Sequence, residues 1–219
     1  MLIRLLCLCI GYLFGLFQTA YLYGRLKGID IREHGSGNAG TTNALRTLGK
    51  KAGAITFLGD CFKCILGVLV IHLLFADTHA NSIKLLELYG AAGVILGHNY
   101  PFYLNFKGGK GIAATAGLLC AVYFPMALVA CLVFVAALSL THYVSVGSLA
   151  VYIVFVFLSL LFGSMGVFHL EGNNLLEFYL LVFLLALLAF WKHKDNIKRL
   201  LHGNENKTYL LKKNKETKK

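Results

Sequence analysis

LLEFYLLVFLLALLAFW, residues 175–191, carries one charged side chain, Glu177, in 17 positions and then stops abruptly at KHKDNIKRLLHGNE, residues 192–205. A run this apolar, closed by a cluster of lysines, reads as a helix lying in hydrocarbon with its end at a membrane surface. Six similar stretches precede it, at 2–24, 52–76, 83–100, 112–124, 126–144 and 147–168. Most approach the ~20 residues that a helix needs to cross a bilayer. The expected fold is therefore all-α, a polytopic membrane protein of about seven transmembrane helices. The 112–124 stretch, ahead of Pro125, is short for a crossing and is accommodated by tilt, by local thinning or by a start inside the preceding loop. Six spans are the alternative count.

Composition agrees. The 219 residues are 58% hydrophobic and only 14% charged, with a mean hydropathy of +0.68, well outside the usage of a soluble domain. Cys7, Cys9, Cys61, Cys64, Cys120 and Cys131 all lie in or beside apolar runs, where a thiol packs as a small hydrophobe, so no disulfide framework is expected. Cys61 and Cys64 form a C-x-x-C, but they abut the apolar 65–74 run and lack the polar setting of a redox pair. The apolar N-terminal run after Arg4 continues through Tyr23 with no convincing small-residue cleavage site, which reads as an uncleaved first span.

Positive charge fixes the expected orientation. Residues 25–51 hold six lysines and arginines, residues 101–111 two, and the tail from Lys192 ten, so 18 of 21 fall on one side of a seven-span arrangement. Retention of positive charge in the cytoplasm puts that side inside, with the N-terminus outside and the C-terminus cytoplasmic. Six spans would break this agreement. Residues 1–200 are expected to form one membrane-embedded catalytic domain with cytoplasmic loops 25–51 and 101–111, and residues 201–219 a basic cytoplasmic tail. The net charge of +11 is concentrated on that face and in the tail. It reads as topology and attraction to anionic lipid, and nucleic acid is not an expected partner.

The loops carry the chemistry. GSGNAGTTN, residues 35–43, can turn backbone N–H groups inward as an anion nest, with Arg46 one turn further on. A turn-rich linker has the same composition. A second loop, GHNYPFYLNFKGGKG at 97–111, repeats the combination with Lys107 and Lys110. It is not a nucleotide-binding P-loop, which needs glycine at Leu104 and Ser or Thr at Gly111. Two such loops on one face suggest two phosphates, or a phosphate and a carboxylate. In the third segment, His193, Asn196 and Arg199 follow at intervals of three and share a helical face that can orient a hydroxyl. An amphipathic stop-transfer helix is the bland alternative, but it has no need of Asn196 or Glu205. His98, at a helix end, suits a structural hydrogen bond as well as a substrate contact. Asp60 and Lys63, three apart near the start of the second span, are expected to pair or to serve a polar site. Ser145 and Ser148 lie in a short cytoplasmic turn, where small hydroxyls also pack helices.

Taken in order, the three segments resemble the signature loops of one family, the bacterial acyl-phosphate:glycerol-3-phosphate acyltransferases, integral membrane enzymes that make lysophosphatidic acid. The resemblance spans nearly the whole chain. Departures fall at Ala39 (usually proline), Cys64 (glycine after the lysine of GDxxKG), Lys194 (arginine beside the histidine) and His142 (commonly arginine). The resemblance implies transfer of a fatty acyl group from acyl phosphate to the sn-1 hydroxyl of glycerol 3-phosphate, the first step of phospholipid synthesis. It implies that Ser36, Arg46, Lys107 and Lys110 hold phosphates, and that His193 and Asn196 orient the hydroxyl. Gly37, Asn38, Gly40, Thr41, Asn43, Gly108, Gly109, Ser145, Arg199 and Glu205 complete the implied substrate contacts. It further implies a bacterial cytoplasmic membrane location, a site facing the cytoplasm, and the acyl-phosphate-forming enzyme as a partner.

No metal-ligand cluster or dinucleotide fingerprint is seen, so no metal or cofactor is expected. Rival readings are an H-x-x-x-x-D acyltransferase using His72 and Asp77, an anion transporter, and a non-catalytic scaffold or lipid-binding protein. The first lacks the asparagine that class carries before its histidine, since Ile71 stands there. The second lacks an internal repeat.

Overall fold

The computed structural model describes residues 1–209, and the lysine-rich 212–219 end of the expected tail lies outside them. Among the described residues all regular structure is helical: α1 (Leu2–Gly15), α2 (Thr19–Leu26), α3 (Thr41–Leu48), α4 (Lys50–Phe75), α5 (Ile83–Asn99), α6 (Ile112–Val122), α7 (Phe124–Thr141), α8 (Val144–Ser164), α9 (Gly172–Lys192) and α10 (Lys194–Leu201), with single 3-10 turns at Ile31–Glu33, Ala80–Ser82 and Phe102–Leu104. Five segments are long and apolar enough to cross a membrane: Leu2–Leu26, α4, α7, α8 and α9. The 17 residues of α5 and 11 of α6 are shorter. The first apolar stretch is not one continuous helix. It breaks at Leu16–Gln18, where Gln18 and Lys63 take up the carbonyls that the break sets free.

Burial separates core from lipid face. Thirteen of the 17 residues of α5 are buried, among them Leu85, Leu88, Val94 and Ile95, as suits a helix surrounded by others. In α7 only Met126, Ala130 and Leu138 are buried, while Leu132 and Leu140 turn outward. An apolar exterior of this kind matches hydrocarbon. The main core packs Val68, Leu88, Leu118, Phe155, Phe178 and Val182 between α4, α5, α6, α8 and α9.

Small residues set the closest approaches. Gly11 and Gly15 of α1 face Gly90, Gly93 and Gly97 of α5 so tightly that a Cβ on Gly93 would meet the Leu8 carbonyl and one on Gly97 the Tyr12 carbonyl. On α6, Gly117 lies against the Cys61 carbonyl and Cys64 of α4. The Cys64 side chain is accommodated because the facing residue, Gly117, has none. All six cysteines are free.

At the other end of the bundle, His72 Nδ1 bonds Glu87 Oε1 at 2.7 Å, and Glu87 also takes Lys84 at 2.8 Å. His72 is thus tied to Glu87, and no hydrogen bond joins it to Asp77 among the described residues.

Candidate active site

Four chain segments converge at one end of the bundle: the loop before α3, the loop between α5 and α6, the α7–α8 turn, and α10 with the residues after it. Each is placed by a helix end, so its polar groups emerge from hydrocarbon where water and lipid headgroups meet them.

The first loop is built around Asn43. Its Nδ2 donates to the carbonyls of Ile31 and His34, both at 2.9 Å, and its Oδ1 accepts the Ser36 N–H at 2.9 Å. Asn43 is buried and fully occupied by its own loop, so its side chain shapes the turn rather than reaching outward. Gly35 and Gly37 take φ of 60° and 70°, the left-handed conformation that glycine adopts without strain. Ser36 and Gly37 are exposed, Asn38 is half-buried, and Gly40 is the N-cap residue ahead of α3. The Thr41 hydroxyl oxygen is buried and has no partner among the described residues. Ala39 is buried with Ala20, Ile31 and Ala44. One turn on, Arg46 donates to the Asn206 carbonyl at 3.0 Å and to Thr208 Oγ1 at 2.7 Å. Burial lowers its pKa, and Glu205 opposes that shift.

In the second loop, Gly108 and Gly109 donate to the carbonyls of Asn99 and His98 at 3.3 and 3.0 Å, folding the turn back onto the end of α5. Lys107 is exposed; its backbone N–H donates to the Leu104 carbonyl at 3.1 Å, and its side chain forms no hydrogen bond or ion pair among the described residues. Lys110 differs: its Nζ bonds Asn196 Oδ1 on α10. Burial pushes its pKa down to about 8, with Arg199 adding to that effect and Glu205 and Asp195 opposing it.

The third segment turns on Glu205. Its Oε1 accepts from Asn196 Nδ2 at 2.8 Å and from Ser145 Oγ at 3.4 Å, and its Oε2 pairs with Arg199 Nε at 2.7 Å. His193 caps the end of α9 and is 3% exposed. Its Nδ1 bonds the Ala189 carbonyl at 2.8 Å, so the ring proton sits on Nδ1 and Nε2 is left as an acceptor. Burial, opposed by the Ala189 bond and aided by nearby Lys110, pushes this histidine down to about 4, so the ring is neutral at physiological pH.

Residues 204–208, expected as the start of a tail, run back over the site. Glu205 and Thr208 are buried, and the Thr208 N–H donates to the His142 carbonyl at 2.8 Å. The His142 ring lies 4.7 Å from that of Tyr209. The Lys194 ammonium stands over the Trp191 ring, 4.4 Å from its centroid.

Direct bonds thus join Lys110, Asn196, Glu205, Arg199 and Ser145, with Arg46 tied in through Thr208. Ser36, Gly37, Asn38, Gly40 and Thr41 form the turn leading into the helix that carries Arg46. Sequence reasoning missed Thr208 and Asn206, single polar residues in a basic tail with no motif around them. It also missed Asn99, buried beside Gly111 with both side-chain amide atoms unpartnered among the described residues.

The family described as glycerol-3-phosphate acyltransferase matches residues 5–203. The chain belongs to that family. Glycerol-3-phosphate acyltransferases of Clostridioides difficile (strain 630) and Thermoanaerobacter sp. (strain X514) are 40% and 39% identical, each over 90% of this chain and 92% of the relative. The crystal structure of PlsY (YgiH), an integral membrane glycerol 3-phosphate acyltransferase, in its glycerol 3-phosphate form superposes with a TM-score of 0.79 at 31% identity, covering 95% of this chain and 96% of that one. Its lysophosphatidic acid form gives 0.78 at 30% identity, with the same coverage. As a member of this family the chain is an integral membrane acyltransferase. The family match ends at Gly203, two residues before the glutamate on which the cluster turns.

Proposed function

We propose that the protein transfers a fatty acyl group from acyl phosphate to the sn-1 hydroxyl of glycerol 3-phosphate, releasing 1-acylglycerol 3-phosphate and inorganic phosphate. The observation that carries this reading is the Lys110 ammonium bonded to the Asn196 amide, with the Arg199 guanidinium and a neutral His193 close by. Such a cluster suits two phosphates and a hydroxyl.

The acyl donor is a mixed anhydride, already activated, so the protein has to position the reactants and neutralise charge. Arg46, Lys107 and Lys110, with the turns at Ser36–Thr41 and Gly108–Gly109, hold the two phosphates. Asn196, steadied by Glu205, and His193 orient the acceptor. The hydroxyl oxygen forms the new bond to the acyl carbon as the bond from that carbon to the phosphate oxygen breaks. The hydroxyl proton leaves towards His193 Nε2 or directly to an oxygen of the departing phosphate.

The same reading sets the chain in a bacterial cytoplasmic membrane with seven crossings, α1 and α2 together making the first. Its N-terminus is outside, and its C-terminus and site face the cytoplasm, close to the enzyme that forms acyl phosphate. The distribution of lysine and arginine supports this sidedness.

The test is turnover by detergent-purified protein given glycerol 3-phosphate with palmitoyl phosphate or, separately, palmitoyl-CoA, following phosphate and lysophosphatidic acid together. Equal amounts of both products from the acyl phosphate alone are expected, lost on substituting Lys110 or Arg46. Turnover with palmitoyl-CoA overturns the donor assignment. A folded sample inactive with both donors points to anion flux, measured in proteoliposomes.

A further inference from the structure

Behind the glycine-lysine turn lies a buried polar chain that the reaction itself does not use. Asp60 is 1% exposed, Lys63 5% and His98 2%. Lys63 Nζ donates to the Phe17 carbonyl at 2.6 Å, lies 2.8 Å from Asp60 Oδ1 and 2.9 Å from His98 Nδ1, with the Gly15 carbonyl at 3.4 Å. Thr19 Oγ1 donates to the same Asp60 oxygen at 3.1 Å. An ammonium has only protons to offer, so His98 Nδ1 is the acceptor and the ring proton lies on Nε2.

That ring is the floor of the turn. A Cβ on Gly109 would fall on the His98 imidazole, with Nε2 its nearest atom, and a Cβ on Gly108 would fall on the His98 carbonyl. This carbonyl accepts the Gly109 N–H at 3.0 Å and Gln18 Nε2 at 3.1 Å. The next residue is Lys110, whose ammonium meets Asn196. Two ordered contacts therefore separate the buried ion pair from the cluster described above.

Burying a lysine and an aspartate among helices is expensive, and an apolar trio of similar size would hold helices together as well. What the polar chain adds is direction. The protons of Lys63 go to the break between α1 and α2, to α4 and to the last turn of α5, which fixes the ring plane of His98 and so the height of the turn above it. We infer that His98, held by Lys63 and Asp60, is a positioning residue that sets the Gly108–Lys110 turn and acts on catalysis through the place of Lys110. This rests on the proposed role of Lys110 at a phosphate.

The test uses the full chain in detergent, glycerol 3-phosphate and palmitoyl phosphate. His98→Leu removes the acceptor for Lys63, whereas His98→Asn presents an oxygen near the position of Nδ1. The paired change Asp60→Asn with Lys63→Met removes both charges together, leaves neither buried alone, and provides a folded alternative if His98→Leu does not fold. Expected for His98→Leu is a loss in kcat/KM on the order of 10²-fold, the scale of a ~1 Å misplacement, carried more by KM than by kcat. The paired change gives a similar loss, and His98→Asn restores most of it. In a Lys110→Met background, His98→Leu changes kcat/KM by less than about threefold further, because its route of action is already gone. Losses that multiply with Lys110→Met, His98→Asn as poor as His98→Leu, or a lowered Tm with kcat/KM intact each overturn the inference. If Lys110→Met itself leaves turnover intact, the site assignment beneath it fails as well. If Lys110→Met abolishes the acceleration while the His98 effect stays independent, only the positioning role fails.

Discussion

At the scale of single residues, the proposed chemistry rests on two side chains, Lys110 and His193, whose ionisation is shifted chiefly by burial. Lys110 is a cation that loses its proton as pH rises through about 8 in the unliganded protein. Its charge is therefore fully present below that pH and absent above it. The expected outcome is a kcat/KM for glycerol 3-phosphate that is level towards neutral pH and falls above about pH 8, checked by phosphate release across the range. Lys110→Arg, which keeps its charge, removes that alkaline limb, and Lys110→Met lowers kcat/KM at pH 7 by about 10²–10³-fold. His193, pushed down to about 4, is neutral throughout this range and adds no limb of its own between pH 6 and 8. If it takes the hydroxyl proton, His193→Ala lowers kcat by about 10²–10⁴-fold. A loss below about tenfold, read at saturating substrate, assigns the proton to the phosphate instead.

Among the helices, the α1–α5 contact shows how little side chain the fold tolerates at its tightest point. Glycines on both helices bring backbone against backbone, and the last turn of α5 is also the base of the glycine-lysine loop. A methyl group added at Gly97 would meet the Tyr12 carbonyl and must push the helices apart. The expectation for Gly97→Ala is destabilisation of about 1–3 kcal/mol, the usual scale of overpacking, read as a lowered Tm in detergent. Because Gly97 adjoins His98, the same variant should also raise KM.

For the molecule as a whole, the candidate site is covered by the chain's return after α10. Glu205 satisfies Asn196, Ser145 and Arg199, while Asn206 and Thr208 engage Arg46. Ending the chain after Gly203 should remove turnover by more than about 10²-fold while the membrane helices still assemble, measured by activity beside gel filtration. Glu205→Gln keeps an acceptor for Asn196 but loses the pair with Arg199. It should retain more activity than the truncation, because the amide oxygen still satisfies the Asn196 donor and the bonds of Asn206 and Thr208 to Arg46 remain.

Hydropathy and charge made the all-helical membrane fold legible, because hydrocarbon forces long apolar runs and lysine clusters mark where they end. The loop motifs likewise marked Arg46, Lys110, Asn196, Arg199 and Glu205 for one site, since glycine and fixed positive charge are rare together without a task. The sequence could not show that Asn43 is spent inside its own loop, that the first apolar run breaks at Leu16–Gln18, or that Thr208 reaches Arg46 across 162 positions. Nor could it join Asp60 and Lys63 to His98, 35 residues further along. Composition and spacing report what each segment prefers next to lipid or water. Which polar group meets which is decided when helices close to backbone contact and each buried donor must find the acceptor that packing has brought within reach.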